Sequence, residues 1–285
     1  MNDKPFTPEF EYNVRHLLAG KQLVFAKIPE QDWNAPAYID KLKSAESRRR
    51  LGHIIHGASQ SYRKMCRWYS GKFMSHPAVM RYEWFWRIEP GVQFPCDIPE
   101  DPFVRMRKEK KVIGFSILMS EIEETISGLF ESVLRFKNVN KITPQKQLWN
   151  YFTYTSVNGT TAYNGCHIWN NFEIARFDFF RSPAYQRYFE HLDQQGGFFY
   201  ERWGDAPVIS LAAGLFLRHD QLHHFDNIGY KHDQSSYCPA DARQRSNLLC
   251  TCDPYDGGDT TMSGCMALWR RMTHEDDPNI DEGSL

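Results

Sequence analysis

The feature that most constrains this sequence is an alternation of short apolar runs with longer, capped segments, with no internal repeat and no Gly/Ser/Pro-rich linker. Tyr82-Glu83-Trp84-Phe85-Trp86-Arg87-Ile88 is aromatic, ends on a β-branched residue and is halted by Glu89-Pro90-Gly91, the pattern of a strand running into a turn. Residues 111–117 predict a second strand, and the apolar run 23–28 a further, buried one. Thr7 followed by Glu9, Phe10, Val14 and Leu17, and then Gly20, reads as an amphipathic helix with an N-cap and a glycine stop. Helices are also predicted over 35–50, with Arg48-Arg49-Arg50 on a solvated face, and over 54–69, 121–136, 183–192 and 205–217. Strands alternating with helices point to α/β architecture rather than all-α or all-β. With 285 residues, 41% of them hydrophobic, the chain can bury one large core. The organisation expected is one domain over 1–253 followed by an irregular extension over 254–285.

Charge and cysteine placement narrow the function classes. The 34 basic residues nearly match 35 acidic ones, and no polybasic stripe or tail is present, which argues against a nucleic-acid partner. No apolar stretch approaches the roughly 20 residues needed to cross a bilayer, and the N-terminus is no signal peptide. Cys238, Cys250, Cys252 and Cys265 crowd into a tail rich in Asp, Gly, Ser and Pro, which needs a staple to stay ordered. Disulfides in an oxidising compartment would supply one. The rival is a zinc site, which the single-residue gap in Cys250-Thr251-Cys252 disfavours. The sequon Asn158-Gly159-Thr160 lies in a polar stretch and is compatible with a lumenal protein. Aromatics reach 15%, which suits the apolar faces of sugars but serves a core as readily.

Four segments carry candidate chemistry. Glu89 follows an apolar strand directly, and in open α/β sheets ligands bind beyond the carboxyl ends of strands. A carboxylate there can hold a divalent metal against a diphosphate, although an ordinary surface glutamate fits the same pattern. Asn164-Gly165-Cys166-His167-Ile168-Trp169-Asn170-Asn171-Phe172-Glu173 alternates polar groups with aromatics, and Glu173 is either a stabiliser of an oxocarbenium-like centre or a hydrogen-bonded core residue. In Tyr200-Glu201-Arg202-Trp203-Gly204-Asp205-Ala206-Pro207, Asp205 opens a helix, as a cap or as a binder of sugar hydroxyls. His223-His224-Phe225-Asp226-Asn227-Ile228-Gly229-Tyr230-Lys231-His232 has the composition of a metal site without a zincin spacing.

In this order, with Asn2-Asp3-Lys4-Pro5-Phe6-Thr7 and Ser61-Tyr62-Arg63-Lys64-Met65-Cys66-Arg67 before them, these segments closely resemble glycosyltransferase family 15, the fungal α-1,2-mannosyltransferases of the Golgi. The likeness runs over nearly the whole chain and weakens after about Asp253. It implies a GT-A fold, a nucleotide-binding mixed sheet flanked by helices, with Mn²⁺ as the metal and GDP-mannose as the donor. It implies transfer with retention to a mannoside acceptor on N- or O-linked glycans, in the Golgi lumen and within reach of a glycosyltransferase complex. By position, Glu89 and His232 take the place of the metal ligands. Tyr62, with Arg63 beside it, takes that of the nucleotide contact, Glu173 that of the proposed nucleophile, and Asp205 that of a carboxylate near the acceptor. Glu173 either attacks the anomeric carbon or stabilises its charge while the acceptor enters on the leaving-group face. Family members carry a cytoplasmic tail, a membrane anchor, a stem, and an opening strand and helix ahead of the Asn-Asp-Lys-Pro-Phe segment. These are not in the sequence, so the resemblance predicts a sheet without its first strand. The alternative is a degenerate, non-catalytic member that binds sugar or nucleotide within a mannan-synthesising complex.

Overall fold

The computed structural model describes residues 1–255 and 264–274. The strands among them are β1 (Trp84–Ile88), β2 (Ile113–Phe115), β3 (Leu118–Ser120), β4 (Thr153–Thr155), β5 (Thr161–Tyr163), β6 (Cys166–Ile168), β7 (Phe172–Arg176), β8 (Leu222–His224), β9 (Tyr230–His232) and β10 (Ser235–Tyr237). The helices begin with α1 (Pro8–Leu17), α2 (Glu30–Trp33), α3 (Lys41–Arg50), α4 (Gln60–Gly71), α5 (Pro102–Lys108), α6 (Leu129–Val139) and α7 (Lys146–Phe152). They continue with α8 (Phe177–Arg181), α9 (Pro183–Gln195), α10 (Gly197–Tyr200), α11 (Asp205–Phe216), α12 (Ala242–Asn247) and α13 (Gly264–His274).

The architecture is α/β, as expected, and its centre is a four-stranded mixed sheet of order β1-β7-β2-β8. β7 runs antiparallel to both neighbours, and β2 and β8 are parallel to each other. The carboxyl ends of β1, β2 and β8 therefore share one edge of the sheet with the amino end of β7, which puts Glu89 beside Asn170 and Asn171 along the chain path. Side chains alternate across the sheet with period two. On one face Trp84, Trp86, Phe172 and Ile174 join a core with Phe225 and Tyr230. On the other, Phe85 and Ala175 join the main core beneath the helices. Arg87 and Glu173 are register partners on adjacent strands and point to this helix-covered face by the same alternation.

Local sequence explains many of the element ends. The Thr7 hydroxyl caps α1 by accepting from Phe10 N at 3.2 Å, with Pro8 in the first turn. Ser182 and Pro183 open α9 in the same way, and Gly196, in the left-handed region at φ 73°, closes it. The last residue of α4 is a glycine for a steric reason: a Cβ on Gly71 would lie 2.2 Å from the Phe189 ring of α9. α11 is buried nearly all round and threads the main core.

Several expectations are corrected. The run 23–28 is not a strand. Its one bridge is parallel, between Lys27 and Asn2, and with no second strand to complete a ladder it stays extended, Val24 facing solvent. The helix expected over 35–50 starts only at Lys41, capped by Asp40. The helix expected from 54 starts at Gln60, because 51–57 fold into tight turns in which a Cβ on Gly57 would collide with the Leu51 carbonyl. The helix expected over 121–136 starts at Leu129, since Glu121 is held by Gly165 O and Arg202. Within 254–285, expected to be irregular, residues 264–274 form α13, which buries Cys265, Met266 and Trp269 in the main core. The remainder of that expectation lies outside the described residues.

Three disulfides tie the carboxyl-terminal region to the domain: Cys96–Cys250, Cys166–Cys265 and Cys238–Cys252. The Cys250-Thr251-Cys252 pair is thus shared between two cystines, and Cys66 is left as a buried thiol.

Candidate active site

The centre of the site is Arg87, a lone charge in the apolar strand β1, only 8% exposed. Its Nε donates to Glu89 Oε1 at 2.6 Å and its Nη1 to Asp205 Oδ2 at 2.5 Å. The guanidinium lies 3.9 Å from the centroid of the Tyr69 ring on α4. Burial works against the charge, but Asp205 and Glu89 outweigh it and hold the Arg87 pKa above its ordinary value. A guanidinium has the planar fork that two carboxylates require; an ammonium does not.

Asp205 is the first residue of α11, yet it does not cap that helix. Its carboxylate is instead held by Arg87 and by Asn170 Nδ2, at 2.8 Å, on the loop before β7. That removes the capping reading, since a capping carboxylate would turn back onto its own amides. Glu173 sits on β7 opposite Arg87, 2% exposed, with Oε1 unpartnered among the described residues. Burial, with Asp205 adding to it and Arg87 opposing, pushes its pKa up to about 8. In the ligand-free protein at neutral pH this carboxyl is mostly protonated.

His232 ends β9, which reaches the same region because Gln93, just past Glu89, bridges Lys231. The His232 ring stacks on Trp169, and its Nδ1 is 2.8 Å from Asn171 Nδ2. With Asn171 donating to Nδ1, the ring proton is on Nε2; a flip of the carboxamide supplies the opposite tautomer and frees Nε2 as a ligand. His223 and His224, in the same sequence cluster, are on β8 instead. They line a separate cleft of about 600 Å³ with Lys111, Tyr237, Trp269 and Arg270. Burial lowers the pKa of both to about 4, so they are neutral at pH 7.

Tyr62 and Arg63 are neighbours on α4 with different surroundings. The Tyr62 ring stacks on His56, and the Arg202 guanidinium lies 5.4 Å from its centroid. Cys66, burial and Asp205 raise the Tyr62 pKa, which keeps the phenol neutral. Arg63 is fully buried, and its guanidinium is committed to Gly57 O, Ser47 Oγ and Glu201 O. It therefore fixes α4 against α3 and the loop before α11. Several polar residues at this centre had no role assigned from sequence: Arg87, Asn170, Asn171, and the ion pair of Arg202 with Glu121 at 3.1 Å. A signal existed for Arg87, as the one basic residue inside an aromatic strand. None existed for Glu121, whose place depends on contacts with residues far along the chain.

A sequence profile described as "Glycolipid 2-alpha-mannosyltransferase" matches residues 1–274. The chain belongs to this family. O-glycoside alpha-1,2-mannosyltransferase omh1 of Schizosaccharomyces pombe is 42% identical over 270 residues, covering 93% of this chain and 67% of that protein. Alpha-1,2 mannosyltransferase KTR1 of Saccharomyces cerevisiae is 44% identical over 256 residues, covering 89% of this chain and 64% of its own length. Among solved structures, the family member Ktr4p of S. cerevisiae in complex with GDP superposes with a TM-score of 0.86 at 34% identity, covering 95% of this chain and 72% of the other. The Mn/GDP form of core-mannan synthase A from Aspergillus fumigatus gives 0.83 at 35%, covering 96% and 74%. The family's α/β fold is thus shared over almost all of this chain, while the chain spans about two thirds of the length of the two relatives omh1 and KTR1.

Proposed function

We propose that this chain is the catalytic unit of a retaining α-1,2-mannosyltransferase that moves mannose from GDP-mannose to a mannoside acceptor on protein-linked glycans. The observation that carries the reading is the Arg87 fork, which joins the Glu89 and Asp205 carboxylates beside the buried Glu173. The names of the relatives and the GDP and Mn/GDP contents of the solved family structures support this donor and metal. Three disulfides support an oxidising compartment, here the Golgi lumen.

Glu89 and His232 are the residues that would hold Mn²⁺. One hard carboxylate and one imidazole suit that ion, and two protein ligands leave positions for diphosphate oxygens and water. Bound there, the ion supplies a Lewis acid that neutralises charge on the departing GDP. Arg87 keeps Glu89 in one orientation through Oε1, leaving Oε2 for ligation. Tyr62 serves the nucleotide side, and Arg63 holds its helix in place. Asp205, its carboxylate fixed by Arg87 and Asn170, accepts a hydrogen bond from an acceptor hydroxyl. Glu173 acts as the ionised carboxylate, its proton lost to water, either bonding to the anomeric carbon as that carbon's bond to the GDP oxygen breaks or offsetting the positive charge there. Growing positive charge beside it favours that ionisation.

The test is GDP-mannose turnover with Mn²⁺ and α-methyl mannoside, beside Glu89→Ala. Metal-dependent transfer that is lost in the variant supports the proposal. GDP binding without transfer points to a non-catalytic member, and neither binding nor transfer shows that the nucleotide site needs residues outside this sequence.

A further inference from the structure

We propose that Asn158 is an N-glycosylation site, its carboxamide nitrogen taking an oligosaccharide from a polyprenyl-diphosphate donor in the lumen of the secretory pathway. The inference rests on the lumenal location proposed above. The sequon, its place in the fold and the disulfide set carry it together.

Asn158-Gly159-Thr160 is the tip of the β4–β5 hairpin. The strands pair Thr153↔Tyr163, Tyr154↔Ala162 and Thr155↔Thr161, and residues 157–160 are exposed. The root of the hairpin is tied to the domain: Asn164 N donates to Phe152 O at 3.0 Å and Thr153 Oγ1 to Trp149 O at 2.8 Å. The tip is closed by Ser156 N donating to Thr160 O and Gly159 N to Ser156 O, both at 2.9 Å. Gly159 has φ +83°, which only a residue without a Cβ adopts freely, and nothing lies within 4 Å of where a Cβ would be.

Within this turn Asn158 Oδ1 accepts from Thr160 N at 3.1 Å and from the Ser156 hydroxyl. The oxygen arm of the planar carboxamide is thereby turned inward, and Nδ2 occupies the opposite arm. A sequon inside a buried strand or helix could not keep a bulky, hydrated glycan after folding; this one can. The neighbours also stand to gain from cover, since Val157 is fully exposed and Tyr154 on the same hairpin is 58% exposed. The three cystines call for the same oxidising compartment in which sequon-directed transfer occurs. In the reaction Nδ2 forms a bond to the anomeric carbon of the donor's first sugar, and that carbon's bond to the diphosphate oxygen breaks. The diphosphate leaves on the lipid, and the amide's proton passes to the base of the transferring enzyme.

The experiment is secretion of the full chain from a eukaryotic host behind a cleavable leader. Intact mass is measured before and after N-glycan-releasing amidase, and peptides are sequenced after release in heavy-oxygen water, which marks an occupied asparagine. Wild type is expected to carry sugar at position 158. Asn158→Gln and Thr160→Ala are expected to lose it, and Thr160→Ser to keep it at lower occupancy. GDP binding, measured on the same samples, is expected to be the same in all of them. A secreted, disulfide-bonded, GDP-binding chain without sugar at position 158 overturns the proposal, as does sugar that persists in Asn158→Gln. Occupied Asn158 in a chain that fails to bind GDP would leave the glycosylation standing and count against the enzymatic reading instead.

Discussion

Arg87 carries a buried positive charge that two carboxylates share, and its replacement separates their roles. An isolated buried guanidinium would cost several kcal/mol, so both partners are needed to keep it in place. In Arg87→Lys the single ammonium can satisfy Asp205 but cannot span to Glu89 as well. If Glu89 ligates Mn²⁺ as proposed, Mn²⁺ affinity in the presence of GDP, read from the paramagnetic resonance of free Mn²⁺, is expected to fall roughly 10- to 100-fold, the usual effect of removing the group that orients a ligating carboxylate. An unchanged affinity would remove Arg87 from the metal side of the site. The residue types at Glu89, Glu173, Asp205 and His232 were legible as capable of chemistry. Their partners were not, because Arg87 meets Asp205 across 118 residues and Asn171 meets His232 across 61.

Among elements, α13 shows how a cross-link substitutes for local propensity. Cys166–Cys265 ties it to β6, the strand paired with β3, and Tyr151 OH donates to Cys265 O at 3.0 Å. Closing a chain separation of 99 residues restricts the unfolded ensemble strongly, so Cys166→Ser is expected to cost about 2–5 kcal/mol. Urea midpoints check this: the oxidised variant, which keeps the other two cystines, should fall between oxidised and fully reduced wild type, with Trp269 becoming solvent-exposed early in the transition. Equal midpoints for variant and oxidised wild type would mean that packing alone holds the helix. β1, α1 and α9 were readable within a few residues, since the β1 pattern and the caps of α1 and α9 lie within their own sequence, and α11 was readable from its continuous apolar run. The run 23–28 was misread because apolar composition names a candidate strand but not a partner for it.

At the scale of the whole molecule, Glu173 links stability to pH. Its folded pKa, about 8, lies above that of an unfolded glutamate, near 4.3, so between those values unfolding releases a proton. The associated stability is fully present below about pH 4 and is lost as pH rises through about 8. The slope is at most ~1.4 kcal/mol per pH unit in the middle of that window. Glu173→Gln removes the group, so the stability of the variant relative to wild type should increase from pH 5 to pH 8 and then level off. Denaturant titrations of the ligand-free protein across that range measure it, and a pH-independent difference would mean that Glu173 ionises normally. The main core on the helix-covered face of the central sheet sets this behaviour, since Glu173 points to that face with Ala175.

What the sequence by itself determined is what local chemistry controls: the α/β alternation, the capped helices, the turn after β1, the family, and a cysteine-rich tail in need of cross-links. The caps, the turn and the cysteine spacing rest on residues within a turn or a strand of one another, where sterics and hydrogen bonding act directly, and the alternation and the family rest on the order of such local segments along the chain. The tertiary structure alone decided which cysteines pair, that Asp205 faces Arg87 rather than capping α11, and that the histidine cluster divides between two places. It also decided that Glu173 lies inside the sheet beside a shared guanidinium. Those outcomes depend on contacts between segments far apart in the chain, and only burial of the whole core brings such segments together.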